Sequence, residues 1–125
     1  YQGVLKDINA TDTAEVHVDA GKYTASGNVT LNSASKLNVD EIATFNVGRL
    51  DGMSPDSEIT NAGTLNVQLS AVSGGKLTNT GAMTVEGTAS FTGTLANSGT
   101  FKADGDTTLS GSMRRLKKRR AFIRI

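Results

Sequence analysis

Cysteine and tryptophan are absent from this chain, proline occurs once (Pro55), histidine once (His17), and phenylalanine and tyrosine together make only 5% of the residues. Without cysteine there is no disulfide framework, no thiol nucleophile and no Cys-ligated zinc. No run of 18 apolar residues and no signal-peptide hydrophobic region occurs, so the sequence offers no transmembrane helix. No window carries a 3.6-residue apolar stripe, and the recurrent glycines would each cost a helix about 1 kcal/mol. The chain starts at Tyr1 rather than Met, as expected of a processed product or a piece of something longer.

Glycine, by contrast, is abundant and metrical. Gly75, Gly81, Gly87, Gly93, Gly99, Gly105 and Gly111 recur every sixth residue, and Gly63 keeps the same beat. A longer repeat lies over it. Ile59-Thr60-Asn61-Ala62-Gly63-Thr64-Leu65, Leu77-Thr78-Asn79-Thr80-Gly81-Ala82-Met83 and Leu95-Ala96-Asn97-Ser98-Gly99-Thr100-Phe101 share one pattern at a spacing of 18. A short fixed period marks a solenoid, whose repeats bury their apolar faces only by stacking. Between Leu77 and Leu95 the odd positions carry the large apolar side chains and the even ones mostly Thr, Ser, Ala or Glu, the two-residue alternation of strands. Because 18 is even, an inward residue stays inward in the next coil. The pattern predicts an all-β fold: a single-stranded parallel β-helix, about 18 residues per coil in three six-residue faces. Leu77, Met83, Val85, Phe91, Leu95, Phe101 and Leu109 should point inward, the glycines should sit at corners, and Asn61, Asn79 and Asn97 should form a structural column of mutually bonded amides.

The first half has the composition without the metre. Alternating runs such as Glu15-Val16-His17-Val18, Asn28-Val29-Thr30-Leu31 and Thr44-Phe45-Asn46-Val47 predict irregular coils over 1–48. The 18-residue spacing of Val29, Val47, Leu65, Met83 and Phe101 predicts one inward column running through the chain. Residues 49–58, with Gly52, Pro55 and an acidic cluster, read as a loop between the irregular coils and the regular coils of 59–113.

Charge divides the molecule. Up to Met113 there are six basic and twelve acidic residues, net −6, whereas the last twelve residues carry +7 on Arg114, Arg115, Lys117, Lys118, Arg119, Arg120 and Arg124. In the 18-residue register Arg115, Lys117 and Arg119 would take the slots of Asn97, Gly99 and Phe101, where unpaired cations cost several kcal/mol each. Residues 114–125 are therefore expected to be a basic, non-repeat tail. It is either a solvated terminus, a lid folded over the last coil by Leu116, Phe122, Ile123 and Ile125, or the only place where nucleic acid or an anionic membrane could bind.

Chemistry is sparse. His17 has no nucleophile and orienting acid in recognisable order. Asp104 with Asp106, and Asp51 with Asp56 and Glu58, could approach a cation, yet neither set has the spacing of a calcium loop. Asn9-Ala10-Thr11 and Asn28-Val29-Thr30 fit the short glycosylation sequon. The expectation is no catalytic residue, no metal site, no cofactor and no enzyme.

The Leu-x-Asn-x-Gly-x-Leu repeats, with Phe101-Lys102-Ala103-Asp104-Gly105-Asp106-Thr107-Thr108-Leu109-Ser110-Gly111 after them, resemble bacterial autotransporter passengers and filamentous-haemagglutinin-like adhesins. The resemblance covers residues 59–113 closely and 14–47 loosely. It implies a right-handed helix displayed outside the cell or at the bacterial outer-membrane surface: a structural or adhesive stalk segment with a host-surface or glycan receptor. Three equal hexads are also similar to left-handed hexapeptide solenoids and to bactofilins, which leaves handedness open. That second likeness makes a cytoplasmic or extracellular scaffold, self-associating through its solenoid ends, the alternative. An ice-binding solenoid with outward Thr78, Thr80, Thr92 and Thr94 is a third reading, and a carbohydrate-cleaving enzyme the remotest.

Overall fold

The computed structural model describes residues 2–5, 7–109 and 112–115, with side chains described for 7–108. The strands in chain order are β1 (Gln2–Leu5), β2 (Ile8–Ala10), β3 (Glu15–Val18), β4 (Gly21–Leu31), β5 (Lys36–Val39), β6 (Ala43–Gly52), β7 (Glu58–Asn61) and β8 (Thr64–Ser73). After them come β9 (Lys76–Asn79), β10 (Ala82–Val85), β11 (Thr88–Phe91), β12 (Thr94–Asn97), β13 (Thr100–Ala103), β14 (Thr107–Leu109) and β15 (Ser112–Arg115). Every pairing is parallel, and each strand lies on the one a coil earlier. The result is a parallel β-solenoid of about five turns.

Three faces wrap one core. Face one is a six-stranded sheet of β3, β5, β7, β9, β12 and β15. Faces two and three belong to one nine-stranded sheet, because β4, β6 and β8 run unbroken round the corner between them. Their first halves stack with β1, β10 and β13, and their second halves with β2, β11 and β14. From Glu58 onwards the register step is 18 on every face, as in Glu58↔Lys76, Thr64↔Ala82 and Ser70↔Thr88. Before that it is 20 to 22, as in Gln2↔Lys22, Glu15↔Lys36 and Lys36↔Glu58. The extra residues sit in the corners, so the strands stay alike while coil length changes.

Alternation places the core as expected in the regular half. Leu77, Met83, Val85, Phe91, Leu95 and Phe101 are all buried, and removing each from water contributes about 1.5–3 kcal/mol. The Phe91 and Phe101 rings meet at 5.4 Å in a tilted arrangement, favourable for aromatic quadrupoles. Leu109 lies outside the described side chains.

Three expectations are corrected. The column through Leu65, Met83 and Phe101 continues downward into Phe45 and Tyr23, not Val47 and Val29. Val47 belongs with Val67 and Val85, and Val29 with Leu50 and Ala71. A spacing of 18 loses its meaning once coils are two to four residues longer. The supposed loop 49–58 is half strand: Arg49–Gly52 is the third-face half of β6, Leu50 is buried, Glu58 opens β7, and only the connection at 53–57 leaves the sheet. Finally, β15 carries the ladder past Met113, pairing Arg114 with Ala96 and Arg115 with Asn97. Parallel pairing is made by backbone groups, so a mismatched side chain at the last described strand does not forbid it. Lys117, Lys118, Arg119, Arg120 and Arg124 lie outside the described residues.

Candidate functional surfaces

The interior polar groups are structural in their geometry. Asn61 Nδ2 donates to Asn79 Oδ1 (2.9 Å) and to the Ala82 carbonyl (2.9 Å); Asn79 Nδ2 donates to Asn97 Oδ1 (2.8 Å) and to the Thr100 carbonyl (2.9 Å). Each amide thus ties one coil to the next and bridges the corner between faces one and two. The ladder ends abruptly. Val39 lies below Asn61, whose Oδ1 is buried without a donor, and Arg115 follows Asn97, whose Nδ2 is buried without an acceptor.

The corner glycines stack directly on one another. A Cβ at Gly81 would run into the Gly63 carbonyl, at Gly99 into that of Gly81, at Gly93 into that of Gly75, and at Gly105 into that of Gly87. Among the described residues, positive φ occurs at Asp12 (57°), Ser33 (55°) and, of the glycines, Gly21 (92°) alone. What the corner glycines supply is therefore close approach of successive backbones rather than a left-handed conformation. Gly111 lies outside the described residues.

The outward positions form columns set by register. On face one, Glu15, Lys36, Glu58 and Lys76 stack in alternating sign, an arrangement worth a few tenths of a kcal/mol per neighbouring pair. Face two carries Lys22, Thr44, Thr64, Ala82 and Thr100 in one column and Thr24, Asn46, Asn66, Thr84 and Lys102 in the next. Thr80 and Thr92 sit in corners, so the expected pairs Thr78–Thr80 and Thr92–Thr94 straddle a bend rather than making a flat array. Ile42, Met53 and Leu69 are exposed, one at each of the three corners.

His17 is half-exposed; its Nε2 lies 2.8 Å from Glu15 Oε1 and its Nδ1 3.4 Å from Asn38 Nδ2. Those neighbours hold the ring on the surface beside a small apolar hollow of about 170 Å³ formed by Ile8, Val16, Val18, Tyr23 and Phe45. Asp104 lies 3.9 Å from Lys102 Nζ, and Asp106, Asp56, Asn9 and Asn28 are exposed. Among the described residues no three His, Asp or Glu side chains gather closely enough to hold a metal ion. A second hollow, about 160 Å³, opens sideways at the corner between faces two and three, with Thr24, Ser26, Asn46, Asn66, Gln68 and Glu86 around it. Sequence reasoning missed it, because its residues come from four successive coils.

These features define a class: a three-faced parallel β-solenoid, dressed outside in short polar side chains and tied inside by an asparagine ladder. Compared with protein-family models, curated proteins and solved structures, the chain has no match in any of the three.

Proposed function

We propose that this chain is a structural, stalk-forming segment of a surface-displayed or secreted bacterial adhesin, built in the manner of an autotransporter passenger. One observation carries the reading: from Glu58 the step is 18 on all three faces, with the same amide ladder inside and the same glycine contacts at the corners. Such a stack adds length without changing cross-section and resists shear, since sliding one coil breaks strand pairing, ladder and corner packing together. Its role is mechanical and non-enzymatic, and needs no cofactor. The resemblance of Leu-x-Asn-x-Gly-x-Leu to passenger repeats supports the extracellular setting.

Duplicating residues 76–93 tests this. Solution scattering should show the particle lengthened by about 4.8 Å, one strand spacing, at constant cross-section. The same duplication in a chain displayed on a bacterial surface should leave an attached epitope fully accessible. An unfolded duplicate, or one that widens instead of lengthening, would sink the stalk reading.

A self-assembling scaffold is the second reading. Among the described residues, β1, β2 and β3 at one end and β13, β14 and β15 at the other have no outer pairing partner, and unpaired edges are templates for another strand. Electron microscopy over a range of concentrations separates the two, since only the scaffold forms filaments.

A further inference from the structure

The hollow between faces two and three originates in a missing corner residue. In β4 the turn from face two to face three takes Ser26 and Gly27, and in β8 it takes Gln68 and Leu69; in β6 only Gly48 is left between Val47 and Arg49, and the register shifts there. Gly48 is consequently drawn inwards and buried. A Cβ on it would strike the Ser26 carbonyl and approach the Gly27 carbonyl oxygen to 2.7 Å. The two-residue corners below and above overhang it, leaving a notch of about 160 Å³ floored by Ala25, Val47 and Gly48.

Most of the side chains around it are polar and neutral, over an apolar floor. Asn66 Nδ2 donates to Asn46 Oδ1 at 2.9 Å, which orients both carboxamides and leaves Asn46 Nδ2 as a donor and Asn66 Oδ1 as an acceptor. Thr24 and Ser26 add hydroxyls, Gln68 a third carboxamide and Glu86 a carboxylate. The lining holds no lysine or arginine and no aromatic ring, so it suits neither an anion nor a large apolar ligand. Mixed donors and acceptors are matched by groups that both give and take a hydrogen bond, which hydroxyls do. The volume falls below the roughly 300–1,000 Å³ of a pocket for a drug-sized ligand; it holds one ring, not a chain of them.

We propose that this notch is a binding site for a single neutral sugar ring, its vicinal hydroxyls bonded by Asn46, Asn66, Gln68 and Glu86. The site goes beyond a stalk, which requires no ligand of its own, and stands or falls separately from it. The backbone is already in place and the two asparagines are pre-oriented, so little ordering opposes binding. A shallow site with few contacts should still be weak, in the millimolar range.

Nuclear magnetic resonance on the isotope-labelled full chain tests this, with the methyl glycosides of glucose, galactose, mannose and N-acetylglucosamine added to tens of millimolar, and with acetate and phosphate as anionic probes. At least one glycoside should saturably shift the side-chain amide signals of Asn46, Asn66 and Gln68 and the Gly48 backbone signal, while both anions leave them in place. Asn46→Ala should weaken that glycoside about tenfold, the effect of removing a hydrogen-bonding partner, while the chain still melts cooperatively, at a somewhat lower temperature for want of the Asn66 bond. No saturable shift with any glycoside, shifts confined to other regions, or a response to the anions instead would overturn the proposal. The titration of the unaltered chain decides it even if a variant folds poorly.

Discussion

The two halves of this solenoid solve one problem differently. Up to Ser57 the turn from face three to face one is made by residues 11–14, 32–35 and 53–57, and each turn is closed by its own hydrogen bond: Ala14 N to Thr11 O, Ser35 N to Asn32 O, and Ser57 N to Ser54 O. Stacked turns even share conformation, with Asp12 and Ser33 both left-handed and the Ala34 amide donating to the Asp12 carbonyl. After Ser73 the same turn shrinks to Gly74–Gly75 and then Thr92–Gly93. The inner column beside the next corner changes too, from Val18 and Val39 to Asn61, Asn79 and Asn97. At that next corner, from face one to face two, the turn after Val39 is closed by its own Ala43 N to Asp40 O bond, whereas after Asn61 and Asn79 the side-chain amides reach across to the Ala82 and Thr100 carbonyls.

The largest effects should ignore this division. Phe45→Asp below and Phe101→Asp above each place an unpaired carboxylate in the core, at a cost of several kcal/mol, and both should abolish the cooperative melt seen by circular dichroism. If one half kept its β signal while the other lost it, the halves would be separate folding units.

Corner substitutions should separate glycines packed on the coil below from open corner positions. Gly81→Val or Gly93→Val drives side-chain atoms into backbone of the preceding coil, which cannot yield as a flexible side chain does, and should cost about 3 kcal/mol or more. Ile42→Thr, at an exposed corner of the irregular half, should cost less than about 0.5 kcal/mol. Denaturant melts of equal midpoint for both would show that the short corners are not tight.

The asparagine column sharpens the contrast at smaller scale. Asn79→Val leaves the Asn97 acceptor and the Thr100 carbonyl without their donor and should cost about 2 kcal/mol. Replacing Asn61, Asn79 and Asn97 together by Val imitates the lower half and removes the amide partners as well. Calorimetry should find it less destabilising than the sum of the three single changes, and simple additivity would deny that the amides act as a ladder.

Smallest is the charge column on face one. Lys36→Glu would set a carboxylate directly between those of Glu15 and Glu58, and should lower stability by about 0.5–1 kcal/mol in low salt, a loss shrinking as salt is added. A salt-independent loss would point to packing of the lysine stem instead.

Much of the regular half was legible because its period is even and constant: inward residues, corner glycines and the Asn61, Asn79 and Asn97 column follow from an 18-residue step and two-residue alternation. In the lower half the same step misplaced Val29 and Val47. Corners of one to five residues erase a fixed spacing, and strand alternation alone does not say which coil a residue stacks upon. The supposed loop at 49–58 failed similarly: Gly52 and Pro55 are turn residues, yet Leu50 is held in the core by strands on either side.

By itself the sequence determined the class of fold, since glycine every six residues with alternating apolar positions can bury its core only by coiling and stacking. Tertiary structure decided the rest: the register of the irregular coils, the alternating column of Glu15, Lys36, Glu58 and Lys76, the pairing of β15 through Arg115, and the notch at Gly48. Each of these joins residues about twenty positions apart, and the turns between them, set by backbone packing of one corner on another, determine which residues meet.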